Sequence, residues 1–123
     1  EWGFLERDCE LMAQTAATTH FRNLNATGQN ISNGICHIMK FILVNNQGAT
    51  AFVQIFDLAA ASVTLGTTRP LLQVPLAATT GFAEVDFTFP GLLFTTRCSI
   101  FSTTTSEGAS GSADGVFCQA LIN

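Results

Sequence analysis

The sequence predicts an all-β chain: an antiparallel β-sandwich preceded by a short N-terminal arm, helical or extended. Three observations carry this. Phe41-Ile42-Leu43-Val44 and Ala51-Phe52-Val53-Gln54-Ile55-Phe56 are β-rich runs separated by turn residues, Asn45-Asn46-Gln47-Gly48. Ala83, Val85, Phe87 and Phe89 alternate with Glu84, Asp86 and Thr88, the period of a half-buried strand. Gly, Pro, Asn and Thr punctuate the chain between runs.

The elements follow in order. Residues 1–34 form an arm and linker, and residues 35–123 the sandwich. In the arm, Leu5, Cys9 and Met12 have the i, i+4, i+7 spacing of a short amphipathic helix. Two readings stand: a cap on its own sandwich, or an arm docked on a neighbouring subunit through Trp2, Phe4, Leu5 and Met12. Residues 23–34 are polar and turn-rich, and they hold two Asn-x-Ser/Thr patterns, at Asn25 and Asn30. Such patterns arise by chance in Asn/Thr-rich chains and have meaning only in a secreted eukaryotic protein.

The first strand spans about Ile35 to Val44. It is apolar at nearly every position, as in a strand buried on both faces or one lying under the N-terminal segment. A hairpin turn at Asn45 to Ala49 leads to a second strand, about Thr50 to Leu58. A short third strand, about Leu71 to Val74, is closed by Pro75, which confines it to an edge or a strand end. The alternating run is fourth and ends at Pro90-Gly91. Leu92 to Thr103 is fifth, with Phe94, Cys98 and Ile100 on one face. Val116 to Ile122 is last, after a loop at Glu107 to Gly111.

Charged residues make up only 11% of the 123 residues, with one lysine, Lys40, four arginines and a net charge of −4. There is no basic stripe to displace counterions, so nucleic acid is not an expected partner. No stretch reaches the roughly 18 apolar residues of a membrane helix, so a membrane is not expected either. The chain opens on Glu1 rather than Met, which implies processing or further sequence upstream, and it shows no signal-peptide pattern. A weakly charged surface suits an assembled subunit, since charged groups are depleted at interface cores. Phe occurs eleven times and Tyr never, which fits core packing better than a wet, sugar-binding groove.

The four cysteines, Cys9, Cys36, Cys98 and Cys118, lie far apart in sequence, so the Cys-x-x-Cys spacing of zinc sites is absent. Buried thiols and one or two disulfides both remain open. If the last two strands form a hairpin symmetric about Gly108, Cys98 and Cys118 become cross-strand neighbours, each ten residues from the turn.

No constellation of reactive groups stands out, and no catalytic, cofactor or metal residue is assigned. His20 reads as a linker residue and His37 as a strand residue at an interface. Asp57 ends its strand and caps a turn or bonds the Arg69 loop. Glu84 and Asp86 share one strand face; such a pair serves acid–base chemistry or Ca²⁺, but the polar half of an amphipathic strand explains it more simply. No phosphate loop or Gly-x-Ser-x-Gly elbow occurs.

Punctuation across residues 35–123 resembles a small module encoded among virion genes of tailed bacteriophages. The resemblance runs through Val44-Asn45-Asn46, Ala51 to Asp57, Gly66-Thr67-Thr68, Pro70, Val74-Pro75-Leu76 and Gly81-Phe82. It continues through Phe89-Pro90-Gly91-Leu92-Leu93-Phe94, Ser99 to Thr105 and the closing Ala120-Leu121-Ile122-Asn123. The chain departs from the module at Arg97, where Gly is usual. The resemblance covers about two thirds of the chain and implies a jelly-roll-like sandwich. It further implies a capsid decoration, or cement, protein: a homo-oligomer, favoured as a trimer, bound to the major capsid protein shell on the outer surface of the virion. Other virion parts (a head fibre, a tail or a receptor-binding tip) stand as alternatives. So does an extracellular filament subunit joined by its N-terminal segment.

Overall fold

The computed structural model describes residues 17–21, 23–112 and 115–123. The expected N-terminal helix and the residues Trp2, Phe4, Leu5 and Met12 lie outside the described residues. So does Cys9.

The strands are β1 (Ala17–Phe21), β2 (Gln29–Asn30), β3 (Cys36–Asn45), β4 (Ala51–Asp57), β5 (Leu72–Leu76), β6 (Gly81–Asp86), β7 (Leu92–Phe94), β8 (Cys98–Thr103) and β9 (Val116–Ile122). The helical content among the described residues is one 3₁₀ turn, Ala60–Ser62. The strands form two antiparallel sheets. One has the order β1-β9-β3-β6, with β7 also paired to β3; the other has the order β2-β8-β4-β5. With β7 taken as the continuation of β6 along one edge of β3, each sheet holds four strands. The chain crosses between sheets at most connections, the winding of a jelly roll. The protein is a jelly-roll-like β-sandwich.

β3 is the spine of the first sheet, flanked by β9 on one side and by β6 and β7 on the other. A bulge between Ile38 and Lys40 inserts one residue into β3 opposite β9. The inward set therefore changes parity, from Cys36 and Ile38 to Phe41, Leu43 and Asn45, all of them buried. β3 is not buried on both faces; Ile42 and Val44 point outward and are half-buried. The strand covered on both faces is β4. The core forms where Ile38, Phe41 and Leu43 meet Val53 and Ile55 of β4, Ile100 of β8 and Val116 of β9. Full burial of each such side chain stabilises by about 1.5–3 kcal/mol.

Three sequence expectations give way at the crossings between sheets. The turn at Asn45 to Ala49 is not a hairpin but a corner, since β3 and β4 lie in different sheets. The expected fifth strand is two strands, β7 and β8, separated by a turn at Thr95–Arg97 and assigned to opposite sheets. The boundary expected at residue 34 falls inside the sandwich, because β1 pairs with β9 and β2 with β8. The polar segment 23–34 is held by backbone bonds rather than by apolar periodicity: Leu24 N–H donates to Val116 O at 2.9 Å and Ile31 N–H to Cys98 O at 2.7 Å. Both glycosylation-type asparagines serve the loops. Asn25 Oδ1 accepts from Thr27 N–H at 2.7 Å, and Asn30 Oδ1 from Ala60 N–H at 2.9 Å.

β5 includes Pro75 rather than stopping before it, and it is an edge strand, where the missing N–H costs no ladder bond. β6 ends at Asp86. Phe87 N–H still donates to Met39 O at 2.9 Å, and the chain then turns, with Gly91 N–H on Thr88 O at 2.7 Å. Ala83, Val85 and Phe87 pack on the core as expected, but Phe89 has left the strand and is 74% exposed.

Candidate interaction surface

The two outer faces of the sandwich differ. That of the second sheet is closed by its own loops. Phe56 and Phe101 meet edge to face there, with ring centroids 5.4 Å apart. A Cβ on Gly28 would collide with the Phe101 ring, so the loop before β2 lies directly on that ring. Gln54 Nε2 donates to Thr103 Oγ1 at 2.8 Å and to Gly108 O at 3.2 Å, tying down the 104–111 loop.

The outer face of the first sheet carries no such cover among the described residues. Register gives its layout. Val44 stands opposite Phe82 on one side and Phe117 on the other, an apolar row across β6, β3 and β9. The next row is Glu84, Ile42 and Gln119; the next is Asp86, Lys40 and Leu121. His37 pairs with Leu93 at the far end. Directly opposed side chains on one face sit about 4.5–5.5 Å apart, so each row is continuous. Phe82 is 61% exposed and Leu93 46%.

The charged groups on this face satisfy one another. Lys40 Nζ lies 3.1 Å from Glu84 Oε1 and 3.4 Å from Asp86 Oδ1. Hydrogen bonds to Glu84 and then Asp86, with the attraction of both carboxylates, raise the Lys40 pKa against a small desolvation cost. Both acids are thus engaged by a cation in the polar half of a strand, as the simpler sequence reading had it.

Asp57 holds the turn between β7 and β8. Its carboxylate accepts from Thr95 N–H at 3.0 Å, Thr95 Oγ1 at 2.9 Å, Thr96 N–H at 2.8 Å and Arg97 N–H at 3.3 Å. It caps this turn rather than the Arg69 loop. Desolvation opposes the charged form, but the donors from Thr96, Thr95 and Arg97 outweigh it, and the pKa is lowered. A lowered pKa means that the stabilisation is whole above the ordinary carboxylate value near 3.8 and drains away as pH falls through the lower folded value. Asp57→Asn should therefore destabilise the protein at pH 7 and narrow the gap to wild type in strong acid. Urea melts at both pH values check this; a gap that does not change with pH would remove the charge from the account.

Cys36, Cys98 and Cys118 are buried free thiols. Cys98 and Cys118 are not cross-strand neighbours. β8 and β9 belong to different sheets, so Cys98 pairs in register with Asp57, and Cys118 with Leu43 and Phe21. Burial pushes the Cys98 thiol pKa up, with further contributions from Cys36, Cys118 and Asp57; burial alone pushes Cys118 up to about 12. Thiols so protonated are inert packing groups rather than nucleophiles.

His37 lies on β3, its backbone O accepting from Asn123 N–H at 2.9 Å. His20 lies on β1 opposite Gln119, not in a linker. Among the described residues, no three His, Cys, Asp or Glu side chains gather in a way that could hold a metal ion. Among the same described residues, no helix is long and apolar enough to cross a membrane.

No family model matches the chain, and no curated protein matches it. Among solved structures, the Tobacco streak virus coat protein superposes with a TM-score of 0.46 and 8% identity, over 89% of this chain and 86% of that one. A subunit of the disulfide-linked pili that form Bacillus endospore appendages gives 0.40 and 14%, over 87% and 82%. The extra small virus particle of the giant freshwater prawn Macrobrachium rosenbergii gives 0.36 and 10%, over 87% and 77%. Likeness of this depth carries nothing about what the chain does.

Proposed function

We propose that the protein is a structural subunit of a virion, a capsid decoration (cement) protein. It forms a homo-oligomer, with a trimer favoured, and seats on the major capsid protein shell at its outer surface. The observation that supports this most is the contrast between the two outer faces. One sheet covers its apolar side chains with its own loops, while the other leaves Phe82 exposed beside Val44 and Phe117. Exposed contiguous apolar surface marks interaction sites. The low charge of the chain and the virion-module resemblance of residues 35–123 point the same way. The interface role of Trp2, Phe4, Leu5 and Met12 is part of this proposal.

Light scattering on a sizing column, followed by titration onto undecorated capsid shells, tests it. A discrete trimer that saturates shells at a fixed ratio is the expected result. A monomer with no affinity for shells would sink it. An open ladder of species would move the assignment to a filament subunit, since a heterologous contact that does not close propagates.

A further inference from the structure

We infer that the uncovered face of β6, β3 and β9 receives residues 1–16 of a neighbouring copy, whose apolar side chains lie on the Phe82–Val44–Phe117 row. This rests on the reading of the protein as an assembling subunit and names the surface that the assembly uses.

The direction of β1 argues for a neighbour rather than the same chain. Ala17 pairs with Ile122 and Phe21 with Cys118, so β1 runs from the Ile122 end of β9 toward the Val116 end. The chain therefore enters the sheet at the end where Ile38 pairs with Ile122, while the apolar row lies at the other end, beside Asn45 and Val116. From Phe117 to Ile122 is about 17 Å, at about 3.4 Å per residue. A chain continuing backward from Ala17 in the line of β1 heads away from its own row. Covering that row in the same molecule would need a full reversal. A neighbour related by a rotation that closes a ring presents its row to the segment, and the contact then repeats around a closed oligomer rather than along an open chain. Sixteen residues span at most about 53 Å, ample for the crossing.

Composition fixes the chemistry of the contact. The segment offers Trp2, Phe4, Leu5, Leu11 and Met12 in sixteen residues. It also carries Glu1, Glu6, Asp8 and Glu10 against Arg7, while the face carries Glu84 and Asp86 against Lys40. Both partners are net acidic, so charge opposes the contact and apolar burial drives it. Self-association should strengthen with added NaCl as the repulsion is screened. It also follows that the segment lies on the apolar row, away from the Asp86 row.

The test uses the full chain carrying Phe82→benzoylphenylalanine, mixed from ¹⁴N- and ¹⁵N-labelled preparations, irradiated and mapped by mass spectrometry. Crosslinks from position 82 to residues 1–16 that join light to heavy copies are expected. Crosslinks confined to one copy would overturn the inference in favour of the chain's own segment. Links from position 82 to 82 or 117 of another copy would overturn it in favour of face-to-face packing. Absence of any link to residues 1–16 would also overturn it. Native mass is read in parallel, so the two failures separate: an oligomer without these links sinks only this surface, and a monomer without shell binding sinks the assembly reading itself. A second measurement uses Phe82→Ser and Trp2→Ala, neither of them a core position of the described sandwich. Each should weaken self-association about 10-fold, and the double variant by about the same factor rather than about 100-fold, because the two residues share one contact. Independent, multiplying effects would overturn the pairing.

Discussion

Asn45→Asp is expected to destabilise the protein by about 3–5 kcal/mol at pH 7, the usual cost of an uncompensated buried charge. Asn45 is fully buried at the end of β3. Its Nδ2 donates to Ala49 O at 2.9 Å, Ala77 O at 3.0 Å and Leu76 O at 3.2 Å, while Oδ1 accepts from Gln47 N–H at 3.1 Å. One amide thus ties the β3–β4 corner to the β5–β6 corner, where the chain changes sheets twice. The packing beside it is tight: at Gly81, a Cβ would collide with Ala77 O and stand 2.7 Å from Ala77 N. A carboxylate at position 45 would face three carbonyl oxygens with no proton to give.

The pH dependence of that variant follows from the same geometry. Burial among carbonyls raises the pKa of the new carboxyl above its unfolded value of about 3.9. The penalty is therefore small below that value and grows as pH rises to the folded pKa. Urea melts of Asn45→Asp should show stability recovering in acid, while Asn45→Ala should lose about 2–4 kcal/mol with no such recovery, from orphaned backbone groups alone. Equal pH profiles for the two variants would mean that solvent reaches the corner.

The sequence was most legible where one physical rule decides the outcome. Val116 to Ile122 is β9 with the expected bounds; Pro75 called for an edge strand or a strand end, and β5 is an edge strand that runs through Pro75. Alternation also gave the correct inward set for Phe94, Cys98 and Ile100, although the strand carrying them breaks in two. Period two assigns faces, but it says nothing about which sheet a strand joins. That is why the Asn45 corner read as a hairpin, and why Cys98 and Cys118 read as partners. β2 was hidden for another reason. The ladder around residues 23–34 is built from backbone N–H groups among polar side chains, and backbone bonds leave no periodic mark. The apolar row was in plain view as Phe82, Val44 and Phe117, yet nothing in the spacing of three residues on three strands joins them before register is known.

Three phenylalanines at graded depths test the packing quantitatively. Phe41 is fully buried, Phe87 is half-buried against it, and Phe89 is 74% exposed beyond the end of β6. The Phe41 and Phe87 rings meet edge to face, with centroids 6.2 Å apart. Phe41→Ala removes a ring from the centre of the sandwich and should cost about 3–5 kcal/mol. Phe87→Ala, with its ring partly in water already, should cost about half as much. Phe89→Ala should fall within about 0.5 kcal/mol of wild type. The double variant at 41 and 87 should cost less than the sum of the singles by about 0.5–1.5 kcal/mol, since the edge-to-face contact is lost in either one. Urea melts analysed with a common slope give all four values. The order 41, 87, 89 is the decisive quantity: it follows from the bulge in β3 and the turn after Asp86, because a strand of unbroken alternation through Pro90 would have buried Phe89 as deeply as Phe87. Equal costs at 87 and 89 would restore that longer strand and remove the turn from the fold.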